Sequence, residues 1–401
     1  MTPRKSLSPE GCLFAARALR DFGDSFVAIL LPAYLLALGF TPLEVGVLAT
    51  ASLLGSASLT IGAGLLGARY GYRALLMAAA CLMIATGIAF ASAQVYSALL
   101  VIAFVGTINP SAGSVSVFVP LEHAALAHET RDADRTRTFA RYSLAGALAA
   151  AAGSLAAAAP GVLTPLGFDP VFTMQGMFVI YGLLGVAGRM LYSRLPHRSS
   201  TPDIPKTSVL GPSRKIIFKL AALFSLDAFA GGFVVQSLLA LWLFQRFDFS
   251  LAEAGVFFFW SGLLSALSYP VAARLSRRFG LVNTMVFTHI PSSIALMLAA
   301  LAPSLPLALA LLLIRAALSQ MDVPTRSSYV MAVVTEAERP AAASFTSVPR
   351  SLAAAVSPSL AGALFAASPL AWPLLICGGL KILYDLLLLA QFRQVRPPEE
   401  G

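Results

Sequence analysis

The chain contains about twelve apolar stretches of roughly 20 residues, and no other feature limits its possible folds so strongly. A helix of about 20 residues crosses the roughly 30 Å hydrocarbon core of a bilayer. Inside that core every backbone N–H and C=O group needs an internal partner, so only helices and closed barrels can span it. The stretches are rich in Leu, Ala, Val and Phe and lack the short alternation of a membrane barrel. They predict an all-α membrane protein.

The twelve predicted spans are joined by connections too short to hold a soluble catalytic domain. They cover residues 12–38, 44–66, 74–94, 97–122, 138–159, 170–192, 215–244, 251–273, 282–302, 305–330, 342–366 and 370–392. Composition agrees, because 58% of the residues are hydrophobic and only 12% are charged, with a mean hydropathy of +0.79. Such a chain is too apolar for an ordinary water-soluble protein. Any function must therefore lie among the helices.

The basic residues of the connections lie almost entirely on one side of the predicted membrane. That side contains Arg4, Lys5, Arg69, Arg73, Arg131, Arg135, Arg137, Arg194, Arg198, Lys206, Arg214, Lys215, Arg274, Arg277, Arg278, Arg339, Arg393 and Arg396. Arg246 is the exception on the opposite side. Because basic loops stay in the cytoplasm, both termini are expected there, on a protein of the cytoplasmic membrane. The net charge of +9 is explained in the same way and does not indicate nucleic acid as a partner.

Two short phrases recur 209 positions apart and indicate an internal duplication. Glu44–Val47 opens the second span, and Glu253–Val256 opens the eighth. At the same offset, Arg69–Gly71 corresponds to Arg278–Gly280. The longest polar interruption lies between the two halves. The predicted organisation is a first six-helix bundle over residues 1–194, a cytoplasmic linker over 195–213 and a second six-helix bundle over 214–401.

A third repeated phrase contains a reversal of charge. Val119–Glu122 ends the fourth span, and Val323–Arg326 lies in the tenth, 204 positions later. The last position of the phrase is a carboxylate in Glu122 and a guanidinium in Arg326. If the halves are pseudo-symmetric, the two side chains lie at equivalent depth, and a Glu122–Arg326 contact is predicted as a cytoplasmic gate. The alternative is that both are helix-end charges in contact with water.

The loop after the second span resembles the Gly-x-x-x-Asp-Arg-x-Gly-Arg-Lys/Arg loop of the major facilitator superfamily of secondary transporters. The matching positions are Gly64, Arg69, Gly71 and Arg73. Ala68 and Tyr72 replace the usual aspartate and arginine, so the charge contacts of that loop are not carried over. Together with the span count and the duplication, the resemblance implies two pseudo-symmetric six-helix bundles. It also implies that helices one, four, seven and ten line a central cavity.

The resemblance argues against one branch of this superfamily. Residues 98–119 lack the Arg-containing motif typical of its drug–proton antiporters, and residues 146–161 lack their Gly-Pro motif. Multidrug antiport is therefore little supported by the sequence.

Charged residues within the spans are the best site candidates, because a charge at the bilayer centre costs a few kcal/mol at least and usually faces a cavity or another charge. On the first helix Arg17 and Asp21 are spaced i,i+4, and so are Arg20 and Asp24. The simpler interpretation is that the arginines are interfacial anchors that the aspartates neutralise. Asp227 on the seventh helix has no basic residue within a turn, which favours a titrating or ligand-binding carboxylate.

The fourth and tenth spans add further candidates. Arg315 lies in an apolar run and needs a countercharge on another helix or on the substrate, and its planar donors suit an anionic group. Asp322 and Arg326 are spaced i,i+4, consistent with a local ion pair. Asn109, followed by a proline, indicates a hinge, a ligand contact or a kink that only aids packing.

Other polar residues are given structural roles. Arg141 and Arg350 are interpreted as anchors to headgroups or loop carboxylates, and Lys381 and Asp385 as an i,i+4 pair that neutralises itself. The four histidines, His123, His128, His197 and His289, form no metal-ligand spacing.

The sequence predicts a secondary transporter with no cofactor and no metal. It contains no Gly-rich loop ending in Gly-Lys-Ser/Thr for ATP, and no His-Glu-x-x-His or nucleophile–base motif of an enzyme. Proton-coupled export of an organic anion or metabolite is the first prediction, followed by efflux of drugs or amphipathic compounds and by nutrient uptake. A non-transporting membrane sensor is the alternative from a different class. The expected partners are a small, anionic solute, protons or another coupling ion, and the lipid bilayer, with the protein itself a monomer.

Overall fold

The computed structural model describes residues 8–112, 116–129, 135–196, 211, 213–335, 338–368 and 371–393. Its regular structure within these ranges is helical, which confirms the predicted all-α class. The first half contains α1 (Pro9–Ala37), α2 (Pro42–Ser92), α3 (Tyr96–Val105), α4 (Phe118–Glu129), α5 (Arg135–Ala156), α6 (Ala159–Leu163) and α7 (Pro170–Ser193). The second half contains α8 (Arg214–Gly232), α9 (Gln236–Phe247), α10 (Leu251–Phe279), α11 (Leu281–Ala300), α12 (Leu305–Ser319), α13 (Asp322–Ala332), α14 (Arg339–Ala367) and α15 (Trp372–Phe392).

Some of the sequence predictions fall outside these ranges. They concern most of the linker 195–213, the loop residues Arg4, Lys5, Arg131, Arg198, Lys206 and Arg396, and the side chains of Arg135, His128, His197 and Arg339.

Each of the twelve predicted spans corresponds to a helical segment. Nine segments of the described chain are long and apolar enough to cross a membrane. The other three are the first, fourth and tenth spans. The first is α1, which carries several charges, and the other two are each divided into a pair of shorter helices, α3 with α4 and α12 with α13. The predicted twelve-helix architecture accommodates all of these segments.

The first repeated phrase forms the same cap on two helices. Glu44 accepts a hydrogen bond from the backbone N–H of Thr41 at 2.7 Å, and the Thr41 hydroxyl accepts one from the N–H of Glu44 at 3.3 Å. Ser250 and Glu253 make the same reciprocal pair at 2.9 and 3.2 Å, at the start of α10. This capping box satisfies N–H groups that have no partner within the helix.

The second repeated phrase breaks the backbone in the same way in each half. Gly71, inside α2, has φ 72° and ψ 156°, and Gly280, between α10 and α11, has φ 83° and ψ 161°. This region is essentially restricted to glycine. Each break lets one span end and the next begin without an intervening loop, so the duplication is visible in backbone geometry as well as in sequence.

The helices form two compact units. Unit 1 comprises Met1–Phe40, Ala51–Pro202 and Ser250–Phe259. Unit 2 comprises Thr41–Thr50, Asp203–Phe249 and Trp260–Gly401. Each unit contains its own group of buried charged residues.

Candidate functional site

The buried charges of unit 1 converge on Arg20 of α1. Its guanidinium lies 2.8 Å from Glu122 of α4, 3.1 Å from Asp21 and 3.8 Å from Asp24. Arg17 lies 2.6 Å from Asp21, as the i,i+4 spacing predicted. Because Arg20 is only 3% exposed, it is not an interfacial anchor. We call Arg17, Arg20, Asp21, Asp24 and Glu122 the N cluster.

Glu122 is held by hydroxyl groups as well as by charge. Tyr192 donates a hydrogen bond to it at 2.5 Å, Tyr142 donates another, and the side chain is fully buried. The alternative reading of Glu122 as a helix-end charge in contact with water is therefore wrong. The two tyrosines were not predicted, since their role depends on α5 and α7 packing beside α4 and leaves no trace in sequence spacing.

Asp24 is the least compensated carboxylate of the N cluster. Of the three ion pairs that Arg20 makes, the one with Asp24 is the longest. The other partner of Asp24 is the neutral hydroxyl of Tyr181, which donates a hydrogen bond at 3.1 Å. The same hydroxyl lies 3.0 Å from the side chain of Thr107, in the segment between α3 and α4. Asp24 is 1% exposed. A buried carboxylate with such weak compensation is a candidate proton acceptor.

Asn109 has a structural role in the described chain. Its side-chain oxygen accepts a hydrogen bond from the backbone N–H of Ser111 at 2.9 Å, which stabilises a turn where the fourth span is interrupted. The interruption runs from the end of α3 to the start of α4 and is larger than a kink. Whether Asn109 also contacts a ligand stays a prediction.

The buried charges of unit 2 converge on Asp227 of α8. Lys381 of α15 lies 2.6 Å from one carboxylate oxygen of Asp227, and Arg326 of α13 lies 3.1 Å from the other. Arg326 also pairs with Asp322 at 3.0 Å, as the spacing predicted. Asp227 thus has two cationic partners, both supplied by other helices. We call Asp227, Asp322, Arg326, Lys381, Asp385 and His289 the C cluster.

The predicted pairing of Lys381 with Asp385 is wrong. Lys381 extends to Asp227, and Asp385 is bound by His289 of α11, whose Nδ1 lies 3.0 Å from a carboxylate oxygen. Packing of α15 against both α8 and α11 decides the partners, which i,i+4 spacing within one helix cannot reveal. His289 was not predicted as the partner of Asp385, because an isolated histidine carries no spacing signal.

The charge reversal in the repeat is compensated within each unit. In unit 1 a cation on the first helix, Arg20, binds the carboxylate Glu122. In unit 2 a carboxylate on the seventh span, Asp227 of α8, binds the cation Arg326. The same bridge is thus built twice with opposite polarity. The predicted Glu122–Arg326 gate stays a prediction. Neither residue requires the other as a partner, because each charge is already compensated within its own unit.

The permanent charges of the two units do not balance. The N cluster has three carboxylates and two guanidinium groups. In unit 2 Arg315 and Arg350 have no ion-pair partner among the described residues, and Nε of Arg350 is buried without a hydrogen bond. With Lys381 and Arg326 they make four cations, against the three carboxylates of the C cluster. The N cluster therefore has an excess carboxylate, and the C cluster together with Arg315 and Arg350 has an excess cation.

The loop after the second span, which resembles the motif of the major facilitator superfamily, has a structural role in unit 1. Arg73 donates a hydrogen bond to the carbonyl oxygen of Ser193 at 2.6 Å and so joins α2 to the end of α7. Arg69 lies over the ring of Tyr70 with its guanidinium carbon 5.4 Å from the centroid. Gly64 is exposed and has no close neighbour. Among the described residues no group of three or more His, Cys, Asp or Glu side chains is arranged to hold a metal ion.

Comparison with known proteins identifies the architecture. The sequence model of the Major Facilitator Superfamily matches residues 13–244 and 220–401. The uncharacterized membrane protein YJR124C of Saccharomyces cerevisiae is 22% identical over 419 residues, which cover 95% of this chain and 93% of the yeast protein.

Solved structures with a similar fold are transporters. They include the nucleoside transporter NupG, with a TM-score of 0.73, 14% identity and coverage of 96% of this chain and 99% of the other. A bacterial homolog of the human lysosomal transporter Spinster, inward-facing and occupied, has a TM-score of 0.71, 14% identity and coverage of 95% and 96%. The human organic anion transporter MFSD10 has a TM-score of 0.65, 17% identity and coverage of 94% and 98%. Because the sequence identities are only 14–17%, these structural similarities establish the fold alone.

Proposed function

The chain belongs to the Major Facilitator Superfamily and is a multi-pass membrane transporter, not an enzyme; from this we propose that it moves an organic anion together with a proton by alternating access. The unbalanced charges of the two units support the proposal. An excess buried carboxylate can take up a proton, and an excess buried cation can bind an anion, each at a lower cost than leaving the charge uncompensated.

Asp24 is the proton site of this proposal. It has the longest ion pair of the N cluster, and protonation would leave two carboxylates against two guanidinium groups. Asp21 has short contacts to both arginines and is second in order. Asp227 and Asp322 each pair with a cation at 3.1 Å or less, so they rank after Asp24 and Asp21 in this proposal.

Arg315 is the anion site of this proposal. It lies in the C-terminal part of α12, is partly exposed, and has no ion-pair partner among the described residues. A guanidinium can donate two parallel hydrogen bonds to a carboxylate or sulfonate. The name of MFSD10, an organic anion transporter, agrees with this substrate class.

The proposed orientation rests on the sequence, and the direction of transport is a further part of the proposal. The basic residues on alternate connections support cytoplasmic termini in the cytoplasmic membrane. We propose export, in which an anion that accumulates inside the cell leaves with a proton down its own gradient. A proton that accompanies a monovalent anion makes the transport step electrically neutral.

The substrate class can be tested by flux into proteoliposomes with radiolabelled benzenesulfonate, citrate and uridine. We expect protein-dependent flux of at least one anion and none of the neutral nucleoside. Arg315→Gln should weaken the apparent affinity for that anion by about tenfold to a hundredfold, the value of a charge-assisted hydrogen bond. The exposed Arg141→Gln is the matched control. Flux of uridine alone, or unchanged affinity in Arg315→Gln, would contradict the proposal.

A further inference from the structure

His289 has a different partner on each nitrogen of its ring. Nδ1 lies 3.1 and 3.0 Å from the two carboxylate oxygens of Asp385. Nε2 lies 3.3 Å from Nζ of Lys381 and 3.9 Å from a carboxylate oxygen of Asp227. The residue is 3% exposed, so these protein groups, not bulk water, determine where its protons lie.

The partners determine the tautomer. An ammonium group has only donors, so Nε2 of His289 must accept the hydrogen bond from Lys381. A carboxylate accepts, so Nδ1 must carry the proton and donate it to Asp385. The imidazole is therefore neutral, and its basic nitrogen is covered by the lysine.

Lys381 is shared between two acceptors. It donates to Asp227 at 2.6 Å and to Nε2 of His289 at 3.3 Å. Its side chain is 13% exposed, against 6% for Asp227 and 3% for His289, so it is the most accessible of these three side chains. A proton can bind Nε2 only if the lysine hydrogen bond to that atom is broken.

We propose that Nε2 of His289 is a second proton-binding site, and that a proton there replaces Lys381 as the partner of Asp227 and releases the lysine to bind an anion. The proton comes from water and forms the new Nε2–H bond. Nδ1 keeps its proton and its hydrogen bond to Asp385. The imidazolium then faces Asp227 from 3.9 Å, so the carboxylate stays compensated by this group and by Arg326 while Lys381 moves away.

Other titratable or charged groups lie on the helices packed against α11. These helices, α12, α13 and α15, contribute Cys377, Tyr384, Arg315, Asp322, Arg326 and Tyr329. Cys377 lies one turn before Lys381 on α15, and Arg315 lies on α12, which packs against α11. Protonation adds one positive charge to a unit that already has an excess cation, so an anion bound by Lys381 and Arg315 would offset it. This anion step rests on the proposed function; the exchange at His289 does not require a substrate.

The exchange can be measured by NMR of the full chain in lipid nanodiscs with nitrogen-15 histidine. The chain has only four histidines, and His289→Gln identifies the signal of interest. At about pH 8 we expect His289 as the Nδ1–H tautomer, and at about pH 5 we expect both nitrogens protonated. In Lys381→Met the doubly protonated fraction at about pH 6 should rise several-fold, because the competing ammonium is gone. The exposed Lys219→Met should match the parent protein.

The outcomes separate this inference from the proposed function. An Nε2–H tautomer at about pH 8, no second proton at about pH 5, or an unchanged fraction in Lys381→Met would overturn the exchange, whatever the flux assay shows. If Lys381→Met does not fold, the tautomer and its pH dependence in the parent protein decide the question. The expected NMR result without any anion flux would retain the exchange and overturn the proposed function.

Discussion

Glu122 and Arg326 occupy equivalent places in the internal repeat, and each is bound by an opposite charge from the first helix of its own half. A buried ion that loses its partner costs about 3–5 kcal/mol, whereas a change of both partners together can be nearly neutral. The polarity of this bridge can therefore differ between the halves, provided that both ends differ. At the residue scale, the repeat conserves the bridge while it changes the charges.

Exchange of charge between the halves tests this explanation against the predicted gate. Glu122→Arg would place a guanidinium beside Arg20, and Arg326→Glu would place a carboxylate beside Asp227. Each single variant should lose about 3–5 kcal/mol of unfolding free energy, and the double variant should show no recovery. Chemical unfolding in detergent micelles measures these values. Recovery of stability or transport in the double variant would support the gate instead.

At the element scale, three of the spans that carry buried charge depart from a single continuous helix. Spans four, seven and ten are each divided in two, as α3 and α4, α8 and α9, and α12 and α13. Hydropathy locates apolar stretches and does not report such interruptions, since the broken segments are as apolar as their neighbours. The sequence signalled the break in span four through the Asn109–Pro110 pair. The division between α8 and α9 coincides with the Gly231–Gly232 pair, a turn signal to which hydropathy does not respond.

The glycine breaks between spans should be intolerant of any side chain. Gly71→Ala and Gly280→Ala force a Cβ into a positive-φ region essentially restricted to glycine, so each should lose about 1–3 kcal/mol of unfolding free energy. Gly64→Ala is the matched control, because it lies in the same motif, without a positive φ, and a Cβ there meets no atom within 4 Å. Thermal unfolding in micelles measures the difference. Equal stabilities of Gly71→Ala and Gly64→Ala would contradict this role.

The start of α8 is joined by one carboxylate to the segment before α14. Glu338 accepts hydrogen bonds from the Ser213 hydroxyl at 2.7 Å, from the Thr335 hydroxyl at 2.8 Å and from the backbone N–H of Gly211 at 2.6 Å. These donors, the Ser213 hydroxyl first, lower the pKa of Glu338 from 4.5 to about 2. Because the folded-state pKa is lowered, the stabilisation is complete above pH 4.5 and is lost as the pH falls toward about 2.

Removal of this charge should release the end of the linker. The backbone N–H of Ser213 also donates to Glu338, at 3.3 Å, so in Glu338→Gln we expect faster hydrogen–deuterium exchange of the Gly211 and Ser213 amides at neutral pH. The difference from the parent protein should shrink as the pH falls through the window from 4.5 to about 2, after correction for the intrinsic exchange rate. Glu44→Gln, at an exposed capping box elsewhere, should leave these two amides unchanged. Equal protection in Glu338→Gln and the parent protein would contradict the assignment.

At the scale of the whole molecule, the sequence predicted the class, the span count and the duplication, because these depend on hydropathy and on repeated phrases. In the structure each repeated phrase forms a defined feature: a capping box, a glycine break or an ion pair between helices. The partners of the buried charges could not be predicted in the same way. They come from helices distant in sequence, as Lys381 and His289 do for Asp227, and only packing brings them together.

The proposed function requires that an anion and a proton cross together, with Asp24 as the proton site in unit 1. The most direct test loads proteoliposomes with the anion of highest flux and a pH-sensitive dye, holds the membrane potential at zero, and dilutes them into anion-free buffer. We predict that the interior becomes alkaline as the anion leaves. Asp24→Asn should abolish this change, while Asp169→Asn, which keeps the N-terminal cap of α7, should not. Anion efflux without a change of pH in the parent protein, or with acidification of the interior, would contradict the account.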